Sequence, residues 1–433
     1  MRATDIAAIV TGGVEIVTPE ALCRDRGFDL SRISVACIFV DVLTGYAIVD
    51  KSSVARIRDK SGTKAFFSPN LRMSLAKASD ERPMEAERGW YLDELGGWPA
   101  GTGRGQRIAI LDGGILYGSD LLPREADHSD FCSSSCVGAD TGSIGTHGTR
   151  CAGAVGAHVK PGEPRRSVAP DSKIIAAQVV LRGYSEGTTL ADFLLMISWA
   201  IHRWKVRVLS YSYSARIRQS GDDMLSMVAE RLRALDLALI FCSVGEDPDL
   251  ISYPANARGV VAVAGYEDPV PGSEICFCNI KHPEMWSALP DLFLAPVVGI
   301  MAVNSSGKPI DDFEGTSAAC AFAAGMALLY MESYPCATVN QVLTEMKEQA
   351  KLIGNPDFPQ YAWSAVRFPE KHPPSCFVKS ICRAIAASRS FLLRSWLLWR
   401  ERRAMRHCVR LVSAPARSPS DTTSPASPSA PRK

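Results

Sequence analysis

Three short blocks of the chain carry side chains suited to nucleophilic chemistry. Asp112 ends an apolar run and precedes two glycines, His147 lies among small residues, and Ser317 opens an Ala-rich stretch. A carboxylate, an imidazole and a hydroxyl are the groups by which proteins activate a nucleophile for acyl transfer. These residue types predict a catalytic triad, provided that the fold brings them together.

Each block alone also has an ordinary structural explanation. Asp before glycines is common in turns, an isolated His is usually structural, and Ser at the start of a helix is usually a cap. The same positions favour catalysis, however. Asp112 would lie at the C-terminal end of a parallel strand, where α/β sheets place their sites. Ser317 would lie at the positive end of a helix dipole.

The elements that must position these residues alternate between short apolar runs and helical patterns over residues 89–370. This alternation predicts an α/β fold in which helices cover both faces of a mainly parallel sheet. The predicted strands are residues 107–111, 174–180, 206–210, 238–243 and 260–264, and the predicted helices are residues 190–204, 224–235 and 317–334.

The order Asp, His, Ser along the chain is that of subtilisin, and residues 90–334 resemble the subtilase family of serine peptidases. Further stretches fit the same order, at residues 168–171, 243–245, 252–255 and 291–296. The resemblance implies an α/β, three-layer subtilisin-like domain with a mainly parallel sheet over residues 89–370.

The resemblance also implies a role for each residue. Ser317 would attack the scissile carbonyl, His147 would carry its proton to the leaving amine, and Asp112 would orient the imidazole. The strand Ser210, Tyr211 and Ser212 would pair with the extended backbone of a polypeptide substrate, as in β-augmentation.

Glu246 is the main departure from the family pattern, which usually has Asn after the glycine that Gly245 matches. That amide donates a hydrogen bond to the oxyanion, and losing such a donor costs about 10²–10³ in rate. An ionised carboxylate cannot donate. Three roles for Glu246 follow. It is a protonated carboxyl that donates, as buried carboxyls can, or a carboxylate that slows catalysis. In the third, the side chain is turned away and another group donates to the oxyanion. Smaller departures at Gly113, Arg150 and Ala321 remove no catalytic group.

Two kinds of function follow from this pattern. One is a serine endopeptidase that hydrolyses peptide bonds through an acyl-enzyme. Processing of a particular precursor is one specialised form of this activity. The alternative is a catalytically impaired, subtilase-like peptide-binding protein. Reaction of Ser317 with a fluorophosphonate probe separates the two.

We expect no organic cofactor and no metal site. Structural calcium is common in the family, but no acidic loop here clearly supplies its oxygen ligands. Two close cysteine pairs, Cys132 with Cys136 and Cys276 with Cys278, lack His or Cys partners at zinc spacing. A nucleotide-binding α/β protein is set aside because the Gly-x-Gly-x-Gly run at residues 101–105 precedes the first strand, whereas a dinucleotide loop follows one.

The two ends of the chain differ from its middle. Residues 1–88 show strand patterns at 33–40, 46–49 and 65–67 and a helical pattern at 52–60, which predicts a small α+β unit, either a pro-domain or an accessory domain. Residues 371–412 predict a basic amphipathic helix, and residues 413–433, with six Ser and five Pro, predict a disordered tail.

Charge and composition limit the kinds of partner expected for this chain. Residues 371–433 hold 13 Lys and Arg against 2 Asp and Glu, so an anionic membrane surface or an acidic partner is a candidate for this end. No nucleic-acid-binding module accompanies the charge. No apolar run is long enough for a secretory signal or a membrane span, so the chain, with its 13 cysteines reduced, is predicted to be cytoplasmic.

Overall fold

The structure, a computed structural model, describes residues 35–39, 46–49, 65–69, 71–75, 89–116, 119–122, 141–178, 187–215, 224–247, 249–267, 276–277, 283–355 and 358–369. The strands, in chain order, are β1 (Val35–Phe39), β2 (Tyr46–Val49), β3 (Ala65–Pro69), β4 (Arg72–Leu75), β5 (Arg107–Asp112), β6 (Lys173–Gln178), β7 (Gly187–Thr189), β8 (Val208–Tyr211), β9 (Tyr213–Ser214), β10 (Leu239–Ser243), β11 (Val261–Glu267), β12 (Cys276–Phe277), β13 (Leu292–Pro296), β14 (Ile300–Val303), β15 (Pro309–Phe313), β16 (Lys351–Asn355) and β17 (Phe358–Ala365). The helices are α1 (Trp90–Leu95), α2 (Thr141–Gly156), α3 (Leu190–Trp204), α4 (Met224–Ala234), α5 (Pro283–Ser287), α6 (Thr316–Ser333) and α7 (Val339–Glu348).

The central sheet has nine strands in the order β16-β17-β13-β11-β10-β8-β5-β6, with β12 paired to β11. Every pair from β17 to β6 along this path is parallel, and the pairs β16–β17 and β11–β12 are antiparallel. The inner strands are apolar throughout because helices cover both of their faces. The mainly parallel sheet of the predicted fold is confirmed.

The two faces of this sheet belong to two separate cores. On β5, Ile108 and Ile110 pack with residues of α2 and α6, whereas Ala109 and Leu111 pack with residues of α3 and α4. Alternate residues of a strand point to opposite faces. The result is the three-layer α/β arrangement expected from the sequence.

Helix α6 runs through one of these layers. Every residue from Thr316 to Met331 is buried, and most are small or apolar. A helix that is apolar on all sides is a core helix, and α6 contacts α2 and the strands β8, β10, β11 and β13. The helix therefore holds its N-terminus in a fixed place relative to the carboxyl ends of the sheet.

The N-terminal part of the chain contributes two groups of strands. β1 pairs antiparallel with both β2 and β3, in agreement with the three predicted strand patterns. β4, which the sequence did not predict, lies between β7 and β9 and pairs antiparallel with both. The predicted helix at residues 52–60 and the predicted segments 371–412 and 413–433 lie outside the described residues. Within the described part of the chain, no helix is long and apolar enough to cross a membrane.

Candidate active site

Asp112 is the last residue of β5 and is buried, with 1% of its surface exposed. Both carboxylate oxygens have partners: Gly113 N–H donates to Oδ1 at 2.7 Å, and His147 Nδ1 lies 2.8 Å from Oδ2. Because a carboxylate only accepts, the ring N–H of His147 is the donor. In the neutral form of the ring, Nε2 is then the nitrogen that accepts a proton.

Gly148 allows α2 to come this close to β5. A Cβ at this position would lie 2.2 Å from the carbonyl oxygen of Gly114 and 3.0 Å from Cβ of Asp112. No larger residue fits without moving the helix away from the strand. The small neighbours of His147 are therefore required by the approach of the helix to Asp112.

The surroundings of His147 set its charge. Burial lowers the pKa of His147, but Asp112 and Cys151 together raise it well above its ordinary value of 6.5. Cys151, one turn further along α2, has its Sγ 3.8 Å from His147 Nδ1 and 4.0 Å from Asp112 Oδ2. Burial raises the pKa of this thiol, and the neighbouring His147 opposes that effect.

Ser317 lies in the first turn of α6 with 6% of its surface exposed. α6 packs against α2, the helix of His147. Among the described residues, no hydrogen bond joins Ser317 Oγ to the His147 ring. Nucleophile–base contacts are often longer in proteins without substrate.

Glu246 reaches the same helix from the loop after β10. Its Oε1 accepts hydrogen bonds from Thr316 N–H at 2.6 Å and from Thr316 Oγ1 at 2.7 Å. The side chain is thus directed at the residue before Ser317 and acts there as an acceptor.

The residues of the predicted substrate strand lie at the end of β8 and directly after it. Ser210 and Tyr211 belong to β8, which pairs with β10 on one side and β5 on the other. Ser210 Oγ also lies 3.7 Å from Sγ of Cys320, a buried residue of α6. Ser210 and Tyr211 are therefore flanked on both sides by strands of the chain itself, and the assignment of Ser210, Tyr211 and Ser212 to a substrate strand stays a prediction. The antiparallel pairing occurs at β9, immediately after Ser212.

β4 occupies the position between β7 and β9. Leu75 pairs with Tyr213, whose ring meets the His147 ring edge-on with centroids 6.5 Å apart. Met73 is 2% exposed, and Tyr211 donates its hydroxyl hydrogen to the Met73 sulfur at 3.5 Å. The chain therefore places a short extended segment of its own beside the His147–Asp112 pair. Sequence analysis missed this strand because its partners lie more than 100 residues away.

One group of side chains has donor atoms close enough to hold a metal ion. Among the described residues, only Asp112, His147 and Cys151 form such a group, with one ligand atom of each within 4.8 Å of the others. Two of the three, Asp112 and His147, share the hydrogen bond described above. Of the four cysteines in the two close pairs of the sequence, only Cys276 lies within the described residues.

The chain is similar in sequence to known proteins. Among curated relatives, a thermostable alkaline protease of Halalkalibacterium halodurans is 28% identical over 254 residues, which cover 59% of this chain and 64% of the relative. The serine protease AprX of Bacillus subtilis is 24% identical over 277 residues, covering 57% and 61%. The chain thus spans less than two thirds of the length of these relatives.

A solved structure, MycP1 with its N-terminal propeptide removed, superposes with a TM-score of 0.48 at 19% identity, covering 67% of this chain and 99% of that one. A family model described as the subtilase family matches residues 103–363. Because this match covers more than half of the chain, the protein belongs to the subtilase family.

Proposed function

We propose that the protein is a serine endopeptidase. Ser317 Oγ attacks the carbonyl carbon of a peptide bond while His147 Nε2 takes the hydroxyl proton. The C–N bond then breaks, and the amine leaves with that proton. Water hydrolyses the acyl-enzyme by the same path.

The observation that carries this proposal is the buried pair of Asp112 and His147, joined at 2.8 Å. A buried carboxylate that orients an imidazole and stabilises its charged form is the support that a general base needs. The packing of α2 against α6 adds a hydroxyl on the neighbouring helix. Membership of the subtilase family supports the same assignment.

We further propose that residues 1–88 act as a pro-segment. β4 pairs antiparallel with two strands at once, as an extended substrate does in β-augmentation. Burial of Met73 in an apolar pocket adds a side-chain contact to this main-chain pairing. Precursor processing by the mature enzyme and contact of the basic end with an anionic membrane surface or an acidic partner stay predictions from the sequence.

A peptide-binding protein with little turnover is the second candidate. It is favoured by Glu246, a carboxylate where the family usually has an oxyanion donor. The two candidates share the same site and differ in whether Ser317 reacts.

Fluorophosphonate labelling of the full chain tests the proposal, with Ser317→Ala as the matched control. Displacement of fluoride by Ser317 Oγ requires a working nucleophile and no knowledge of the natural substrate. We expect labelling of the wild type and none of Ser317→Ala. Absence of labelling in the wild type, both intact and after removal of residues 1–88, would favour the peptide-binding protein.

A further inference from the structure

The helix that carries Ser317 has no capping side chain of its own. Gly315 is the N-cap residue, with φ 90° and ψ 171°, and offers no side-chain acceptor. The first N–H groups of a helix have no acceptor within it. Those of Ala318 and Ala319 bond to the Gly315 carbonyl at 3.0 and 3.2 Å. The N–H groups of Thr316 and Ser317 are left over.

Glu246 supplies the missing cap from another loop. One oxygen of its carboxylate accepts both the N–H and the hydroxyl of Thr316, which fixes the backbone and the side chain of that residue together. Hydrogen bonds to an ionised acceptor are stronger than neutral ones. A negative charge is also favourable at the N-terminus of a helix.

Two glycines make room for this contact. A Cβ on Gly315 would lie 3.2 Å from Oε1 of Glu246. Gly245, with φ 87°, turns the chain just before Glu246, and a Cβ there would lie 2.8 Å from Ser252 Oγ. The loop is held in place because Ser252 N–H bonds to the Val244 carbonyl at 3.0 Å. The position of the carboxylate is therefore set by the loop as well as by the helix.

We propose that Glu246 is a positioning residue, whose carboxylate clamps Thr316 and so fixes the first turn of α6 with the Oγ and N–H of the adjacent Ser317. The inference rests on the proposed function, because the position of Ser317 affects a rate only if Ser317 is the nucleophile. Among the described residues, no hydrogen bond from Ser317 N–H is found, whereas the neighbouring N–H of Thr316 bonds to Glu246. The N–H of Ser317 remains as an oxyanion donor, while Glu246 serves the helix.

A double-mutant cycle on the full chain tests the clamp, with the rate of fluorophosphonate labelling as the readout. Glu246→Ala removes both hydrogen bonds, and we expect a loss of about 10²-fold from misplacement of the nucleophile. Thr316→Val keeps the N–H and removes the hydroxyl, for an expected loss of about tenfold, as for one hydrogen bond to a charged group. The double variant should label no more slowly than Glu246→Ala, because both changes break the same contact.

Two further variants separate positioning from charge. Glu246→Gln keeps an acceptor oxygen at the same side-chain length and should restore most of the rate. Glu314→Ala removes an exposed carboxylate two residues before Thr316 and should leave the rate unchanged. Thermal unfolding of each variant shows that the comparison is made between folded proteins.

Other outcomes overturn the proposal. Faster labelling in Glu246→Ala would show that Glu246 slows catalysis. An unchanged rate in Thr316→Val would instead assign Glu246 as an oxyanion donor. Losses that add in the double variant would likewise show that the two residues act separately. A wild type that never reacts with the probe would instead overturn the proposed function. This outcome is distinguishable from failure of the clamp proposal, because no variant would then react.

Discussion

At the scale of single residues, the site depends on a buried carboxylate, both of whose oxygens accept hydrogen bonds. Asp112 accepts from Gly113 with one oxygen and from His147 with the other. Burial of the carboxylate prevents water from replacing either donor. The tautomer of His147, and therefore the availability of Nε2, follows from this arrangement.

The raised pKa of His147 predicts an alkaline activity profile. Only the neutral imidazole accepts the Ser317 proton, so the labelling rate should rise with pH around a midpoint above 6.5. Asp112→Asn removes the charge that raises this pKa, so the midpoint should move to lower pH. The maximal rate should also fall, by about 10⁴-fold, because the tautomer is no longer fixed.

A pH series of fluorophosphonate labelling checks this prediction. Cys151→Ser is an informative companion, because it keeps a small polar group beside the ring while replacing the thiol. A midpoint at or below 6.5 in the wild type would contradict the assignment of His147 as a base held by Asp112.

The three residues of the proposed triad could be named from the sequence, whereas the contact of Glu246 with Thr316 could not. Asp112, His147 and Ser317 each stand in a short recognisable block. The bond between Glu246 and Thr316 joins residues 70 positions apart, and nothing local indicates it. The run Ser-Tyr-Ser-Tyr-Ser at 210–214 repeats every two residues, so the sequence alone does not fix which of these residues pair with β4.

At the scale of elements, the site depends on how closely α2 and β5 approach. Gly148 meets the backbone of Gly114, a neighbour that cannot turn aside as a flexible side chain can. The hydrogen bond of His147 to Asp112 exists only while this approach is kept. A methyl group on the helix should therefore affect the chemistry more than the fold.

Gly148→Ala tests this dependence. We expect a labelling rate about 10²-fold lower, because the helix must shift and the imidazole moves with it. Gly156→Ala is the matched control: it places the same methyl group on the same helix, 2.8 Å from the tip of the Ile174 side chain and away from His147. Both variants should unfold at lower temperature, and only Gly148→Ala should react slowly. Equal rates in the two folded variants would contradict the prediction.

The elements themselves differed in how far the sequence predicted them. α3 was predicted over its observed length, and α6 begins one residue before the predicted start, because both are long segments with a continuous helical pattern. β4 was not predicted. It has four residues, and its partners β7 and β9 have three and two, so none of them carries a pattern of its own. Each of these short strands is defined by its pairing with another strand of the group.

At the scale of the whole molecule, the N-terminal part of the chain contacts the peptidase domain in two places. β3 contacts α4, and β4 is inserted between β7 and β9. The second contact lies beside His147, through Tyr213. The strand β4 thus lies next to the residue that contacts the His147 ring.

The position of β4 predicts where the chain cuts itself. Leu75 pairs with Tyr213 at the edge of the His147 ring, so the peptide bonds that follow Leu75 are those we expect Ser317 to reach. Intact mass and N-terminal sequencing of the purified protein should show a new N-terminus within about three residues after Leu75, since extended chain advances about 3.3 Å per residue. Ser317→Ala should remain intact.

The pocket of Met73 provides the control for this cleavage. Met73→Asp places a charge among apolar side chains, which should loosen β4 and reduce cleavage at this bond. Met73→Leu keeps the volume and the apolar character, so cleavage should continue. An intact wild-type chain whose Ser317 still reacts with the probe would contradict self-cleavage, because the nucleophile would be active while the peptide bonds after Leu75 were not hydrolysed. Residues 1–88 would then be an accessory domain.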